Sequence, residues 1–214
     1  MAEKEERKLS KAEKERKAVF EVLRARLEEE GYQTIELTMG TLMANVLSLV
    51  SAAPFIAGLM ALFFCFNKEV SWEGNGDVQK VWSFLLIFMI LIVVHELIHG
   101  LTWGMFAESK WKAISFGFIW QYLTPYCTCK EPLKKQQMVW GCLMPTIVLG
   151  ILPSVVAIIT GNVVVLYMGC LMILGGGADL IIAGRILFHK SKGRDARYYD
   201  HPYKVGTMVF EKKS

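Results

Sequence analysis

"LIVVHELIHGLTWG", residues 91–104, sets two histidines and a glutamate into an otherwise apolar run. Imidazole and carboxylate are expensive in hydrocarbon, so His95, Glu96 and His99 need a compensating partner. The three residues form the pattern His-Glu-x-x-His. On a helix, positions i and i+4 lie on one face, a turn apart. Two imidazoles so placed can grip one Zn2+ at about 2.0–2.1 Å. Glu96 is displaced by about 100° around the helix and can reach a water at the ion without ligating it. Zinc lowers the pKa of such a water to about 7. A carboxylate beside it can take the proton and pass it to a leaving amine. A bound cation therefore accounts for all three polar groups. A histidine pair satisfied only by hydrogen bonds in a helix bundle would leave Glu96 unexplained.

The rest of the chain decides what surrounds this helix. Hydrophobic residues make up 53% of 214, above the usual share for a soluble domain. Four runs are long enough to span a bilayer, which takes about 20 residues each. They lie near Leu42–Phe66, Val81–Phe106, Met138–Ile159 and Val163–Leu187. The expected fold is an all-α polytopic membrane protein. It has about four transmembrane helices and a short cytosolic β-hairpin or re-entrant segment. Residues 1–36 form a charged N-terminal arm, 37–190 the membrane domain and 191–214 a basic tail. The arm is rich in Lys, Arg and Glu at helical spacings, and no cleavable signal peptide is expected. Val19, Phe20, Leu23 and Leu27 give it a thin apolar stripe, which suits the membrane surface or the protein body, though a solvated arm is the plainer reading.

Charge placement orients the spans. Segment 107–137 carries Lys110, Lys112, Lys130, Lys134 and Lys135 against Glu108 and Glu131, and the tail is also basic. The positive-inside rule then puts both termini and this segment in the cytosol, with the protein multi-pass in the plasma membrane. Basic residues beside the spans suit anionic lipid rather than nucleic acid. The expected partners are the bilayer and a membrane protein or peptide substrate.

A catalytic zinc site needs a third protein ligand and leaves the fourth place open. Asp179, in "LGGGADLIIAGR", is the one carboxylate within the other three apolar runs. It lies about 11 residues before Lys190, and His99 about 9 before Glu108. At about 1.5 Å per residue these are similar depths on helices running the same way. Gly175, Asp179 and Ala183 share a face, with Gly176 and Gly184 beside it, and Gly100 and Gly104 offer a matching small-residue face. Such faces let the two helices approach. His189, His201, Glu108 and Glu131 are weaker candidates, near span ends or in loops. Cys65, Cys142 and Cys170 read as small apolar packing residues. Cys127 and Cys129 read as part of a strand or turn rather than a thiolate zinc site, which normally needs four ligands.

"AISFGFIWQYLTPYCTC", within 107–137, is rich in β-branched and aromatic residues, with Thr124-Pro125 as a turn. A hairpin there begins soon after His99. Its edge can hold an extended peptide, with Phe116, Phe118 and Trp120 as candidate substrate contacts. An interfacial aromatic belt is the alternative. Pro145 and Pro153 interrupt the third run and free backbone carbonyls that neighbours must satisfy.

Five segments, "HELIHG", "ISFGFIWQYLTPYCTCKEPL", "MPTIVLGILP", "GGGADL" and "DHPYKVG", resemble the putative zincin peptidase family of bacteria over roughly residues 35–206. That family is similar in layout to the site-two intramembrane metalloproteases. The resemblance implies a zinc metalloendopeptidase. His95, His99 and Asp179 would bind zinc, and Glu96 would be the general base. The site-two pattern continues Asp-Gly, whereas Asp179 precedes Leu180. Two other readings stay open: a non-catalytic membrane adaptor or chaperone with a zinc-bound or relic site, and a metal or solute transporter.

Overall fold

The computed structural model describes residues 10–68, 78–119 and 124–213. Helix α1 (Lys11–Glu29) opens with a capping box, in which Ser10 Oγ accepts from the Glu13 backbone N–H and Glu13 accepts from that of Ser10. Strand β1 (Tyr32–Met39) leads into α2 (Thr41–Phe66), and α3 (Val78–Phe106) follows. A short 3-10 turn (Lys110–Ala113) precedes strands β2 (Ile114–Ile119), β3 (Thr124–Cys129) and β4 (Leu133–Lys134). Helix α4 (Lys135–Pro145) runs through a π-helical turn (Thr146–Ile151) into α5 (Leu152–Thr160). Then come α6 (Val163–Gly175), α7 (Gly177–Phe188), β5 (Ala196–Asp200) and β6 (Val205–Lys212).

Among the described residues, three helical rods are long and apolar enough to cross a membrane: α2, α3 and the continuous 135–160 rod. The fourth apolar run is α6 and α7, bent by 51° at their junction. The cause lies in the sequence, since Gly175, Gly176 and Gly177 are consecutive and weaken the helix there. Between α5 and α6, Gly161 is left-handed at φ 69° and Asn162 Oδ1 caps the Val164 and Val165 N–H groups. The chain therefore reverses within two residues.

The expectation of an all-α fold needs correcting. Besides the β2–β3 hairpin there is a four-stranded antiparallel sheet in the order β1-β6-β5-β4. It joins the segment before α2, the segment before α4 and the tail at one end of the helices. β1 pairs along its whole length with β6, from Tyr32↔Lys212 to Met39↔Val205. Phe20, Leu23 and Leu27 of α1 pack on Tyr32, Tyr199, Met208 and Phe210, while Val19 is exposed. The other face of the sheet, with Tyr198 and Val209, joins a core that includes Trp103, Met138, Cys142 and Ile186 from α3, α4 and α7. Thr124 and Pro125, expected in a turn, are instead the first two residues of β3, paired with Ile119 and Phe118. Proline is tolerated at the start of a strand because it need not donate to the ladder there.

Candidate metal centre

Helix α3 has two dissimilar faces. Leu86, Ile90, Val93, Leu97 and Leu101 recur at spacings of three and four and are exposed, whereas His95 and His99 are buried on the opposite side. The α6–α7 bend brings a carboxylate to meet them. Asp179 lies in the first turn of α7, where the positive end of the helix dipole favours a carboxylate. Asp179 Oδ2 is 3.2 Å from His95 Nε2 and 3.5 Å from His99 Nε2, and the two Nε2 atoms are 3.2 Å apart.

That triangle has the dimensions of a metal site. Three ligands bound to zinc at about 2.05 Å in a tetrahedron stand ~3.3 Å apart. Among the described residues, His95, His99 and Asp179 form a group able to share one ion. Two imidazole nitrogens and one carboxylate oxygen are also the donor types that zinc takes in sites with an open fourth place.

Backbone chemistry fixes how His99 points. His99 Nδ1 is 2.7 Å from the Gly141 carbonyl. A carbonyl only accepts, so Nδ1 is the donor, and in the neutral ring Nε2 carries the lone pair. In a regular helix the Gly141 carbonyl would take the N–H four residues on, but that residue is Pro145, which has none. The proline thus releases the carbonyl that orients the histidine. Gly141 also has to be glycine, because a Cβ there would collide with the Trp103 indole. That indole stacks on His99 at 4.9 Å with 14° between the planes and donates to the Met138 carbonyl. The sequence signal for this arrangement was a proline inside an apolar run; that its freed carbonyl is Gly141 is visible only in three dimensions.

Glu96, between the two histidines, is half-buried and lies beside the Cys127 backbone of β3. The hairpin comes this close because Gly100 has no side chain. A Cβ there would stand 2.6 Å from Phe116 and 3.0 Å from Ile114. The small-residue face of α3, expected to receive another helix, receives the hairpin instead, and Gly104 likewise faces Ile114 and Trp111. On the other side, Gly176 meets Thr146 and Gly177 meets the Ser48 backbone of α2. Phe116 and Phe118 lie on one face of β2 and are exposed; Trp120 lies outside the described residues.

The remaining candidates are occupied elsewhere. His189 Nδ1 meets Tyr198 Oη at 3.0 Å and its Nε2 meets Glu211 at 3.3 Å. His201 Nδ1 accepts the backbone N–H groups of Tyr203 and Lys204. Glu131 accepts from the Glu108 and Ser109 N–H groups. Cys127 and Cys129 are buried in β3, and burial pushes both thiols up, Cys129 to about 12, so neither offers a thiolate at neutral pH. Beyond the hairpin, burial raises Asp200 to about 7, against the opposing pull of His99 and the Cys129 backbone.

Residues 88–193 match the family described as "Putative zincin peptidase". No curated protein and no solved structure matches the chain.

Proposed function

Through residues 88–193 the chain belongs to the putative zincin peptidase family, and from that premise we propose that it is a zinc-dependent membrane metallopeptidase that cleaves membrane or membrane-proximal proteins near the cytosolic face. One observation carries this reading. Three ligating atoms from two apolar helices stand 3.2–3.5 Å apart with Glu96 between the two histidines in sequence. The exposed stripe of α3 supports a bilayer as its surroundings, because large side chains such as Leu86 and Val93 would otherwise face water. The lysines of 107–137 support the cytosolic side for the hairpin.

In this reading His95, His99 and Asp179 hold the ion. When bound, zinc supplies a Lewis acid that polarises a carbonyl and acidifies water. Glu96 takes one proton from the attacking water as the water oxygen bonds to the carbonyl carbon. The carbon–nitrogen bond then breaks, Glu96 returns the proton to the leaving nitrogen, and a carboxyl end and an amino end result. His99 keeps its orientation through the Gly141 carbonyl. The β2 edge, with Phe116 and Phe118, takes the substrate backbone as an added strand, which exposes its peptide bonds.

The test is zinc content together with turnover of a model membrane substrate by the purified protein and Glu96→Gln. The variant keeps its zinc and loses at least about 10²-fold in turnover, the usual contribution of a general acid–base group. Undiminished turnover in Glu96→Gln would remove the mechanism. Stoichiometric zinc in a wild-type protein that cleaves nothing would favour the non-catalytic adaptor.

A further inference from the structure

Thr146 opens the π-helical turn directly after Pro145. It is 2% exposed, and its hydroxyl oxygen is buried without a hydrogen-bond partner. Hydroxyls elsewhere in these helices behave differently. Those of Ser48, Ser83, Thr102, Ser154 and Thr160 each donate to the carbonyl four residues earlier. That local bond is the ordinary refuge of a helical hydroxyl away from water, and Thr146 does not make it. Buried hydroxyls are nearly always paired, so an orphaned one asks for an explanation.

Its position supplies one. A Cβ placed on Gly176 would collide with Thr146 Oγ1 and lie 3.5 Å from His95 Cε1. The hydroxyl therefore packs against Gly176, three residues before Asp179, within a few ångström of the His95 ring edge. A π turn beside a functional site is a common device for aiming one side chain out of a helical ladder.

We propose that the Thr146 hydroxyl donates a hydrogen bond to the carbonyl oxygen of the scissile peptide bond as that oxygen gains negative charge beside His95, an inference that rests on the peptidase reading above. The donor is fixed in place before the substrate arrives, and its partner is absent until then. Such preorganised donors stabilise a transition state without reorganising.

The test uses the zinc-loaded, membrane-reconstituted full chain with Thr146→Val, which keeps the shape and removes the hydroxyl, and Thr146→Ser, which keeps the hydroxyl. Glu96→Gln serves as control. Four quantities are read: kcat and KM on a model peptide substrate, affinity for a peptide phosphinate that mimics the tetrahedral anion, zinc content, and the thermal midpoint of the zinc-free protein. Thr146→Val lowers kcat by about 10²-fold, the usual cost of losing one such donor, with KM and zinc unchanged. Phosphinate affinity falls by a similar factor. The zinc-free midpoint is unchanged or higher, because the lost hydroxyl had no partner in the free protein. Thr146→Ser recovers most of the rate. Wild-type kcat in Thr146→Val would overturn the proposal, and so would loss of zinc or a lowered midpoint, since either assigns the hydroxyl a structural role. If Glu96→Gln is inactive while Thr146→Val is normal, only the hydroxyl proposal fails. If Glu96→Gln retains wild-type turnover, the peptidase reading fails and takes this proposal with it.

Discussion

Two clusters in this protein each pair histidine with a carboxylate, and they solve the problem differently. In the sheet, Glu211 is 1% exposed and meets His189 at 3.3 Å and Arg194 at 3.0 Å. A guanidinium supplies the positive charge, and Tyr198 holds the other side of the imidazole. Among the helices, Asp179 meets two imidazoles, and the Gly141 carbonyl commits the proton of one ring to its far side. The first cluster carries its own cation. The second gathers three electron-rich atoms around a point and is completed by a proton or by an ion from outside. The difference separates an internal strut from a candidate binding site, although both look alike as a list of residue types.

Removing the carboxylate from each cluster breaks the comparison most sharply. Asp179→Ala weakens zinc binding on the order of 10³-fold, as loss of a ligand outweighs the 10–100-fold typical of outer partners. Competition with a chelator measures it. Glu211→Ala leaves zinc affinity unchanged but takes the buried carboxylate away from His189 and the partly exposed Arg194, lowering stability by about 1–3 kcal/mol. Denaturant titration of the two variants side by side reads the exchange of effects. Zinc loss in Glu211→Ala, or none in Asp179→Ala, would erase the distinction.

A smaller effect sharpens the account of how His99 is aimed. Pro145→Ala restores an N–H that competes for the Gly141 carbonyl. Zinc affinity then falls by about 10-fold, the lower end for an outer-shell change. A variant with unaltered affinity would show that the carbonyl serves both donors.

The smallest effect is one of pH, at the boundary between the two clusters. Folded Asp200 keeps its proton up to about pH 7, whereas the unfolded chain loses it near 3.8. Between those values the folded state binds more protons, so this residue's contribution to stability declines as pH rises. His201 acts oppositely. Burial lowers it to about 4, so its contribution grows as pH rises from there toward 6.5. Asp200→Asn isolates the first effect. In zinc-free protein it raises the thermal midpoint by roughly 5 °C at pH 8 and has little effect at pH 4, where the aspartate is already neutral. An equal shift at both pH values would assign the gain to packing.

The helices that carry the candidate site were legible in the sequence for a physical reason. A charged group in an apolar run is rare enough that His95, Glu96, His99 and Asp179 single themselves out, whereas the bend at Gly175–Gly177 was read as part of one continuous span. The sheet was hidden for an equally physical one. β6 is covered on one face by α1 and on the other by the ends of the helices, so six of its eight residues are buried in an unbroken run and it shows no alternation. Its partner β1 lies more than 160 residues away in the chain, a pairing that no local pattern announces. The hairpin strands were readable from their β-branched and aromatic residues, but their turn was not, because Pro125 fits a strand start as well as a turn. The roles of Gly141, Pro145 and Thr146 depend on which carbonyl or hydroxyl is left without its helical partner, and that is a property of packing.

X-ray absorption at the zinc edge of the purified, zinc-loaded protein tests the central claim most directly. The account predicts two imidazole nitrogens and two oxygens at about 2.0–2.2 Å, one oxygen from Asp179 and one from water, with the imidazole signature reduced in His95→Ala. A sulfur shell at about 2.3 Å, or a spectrum unchanged in both His95→Ala and Asp179→Ala, would contradict it.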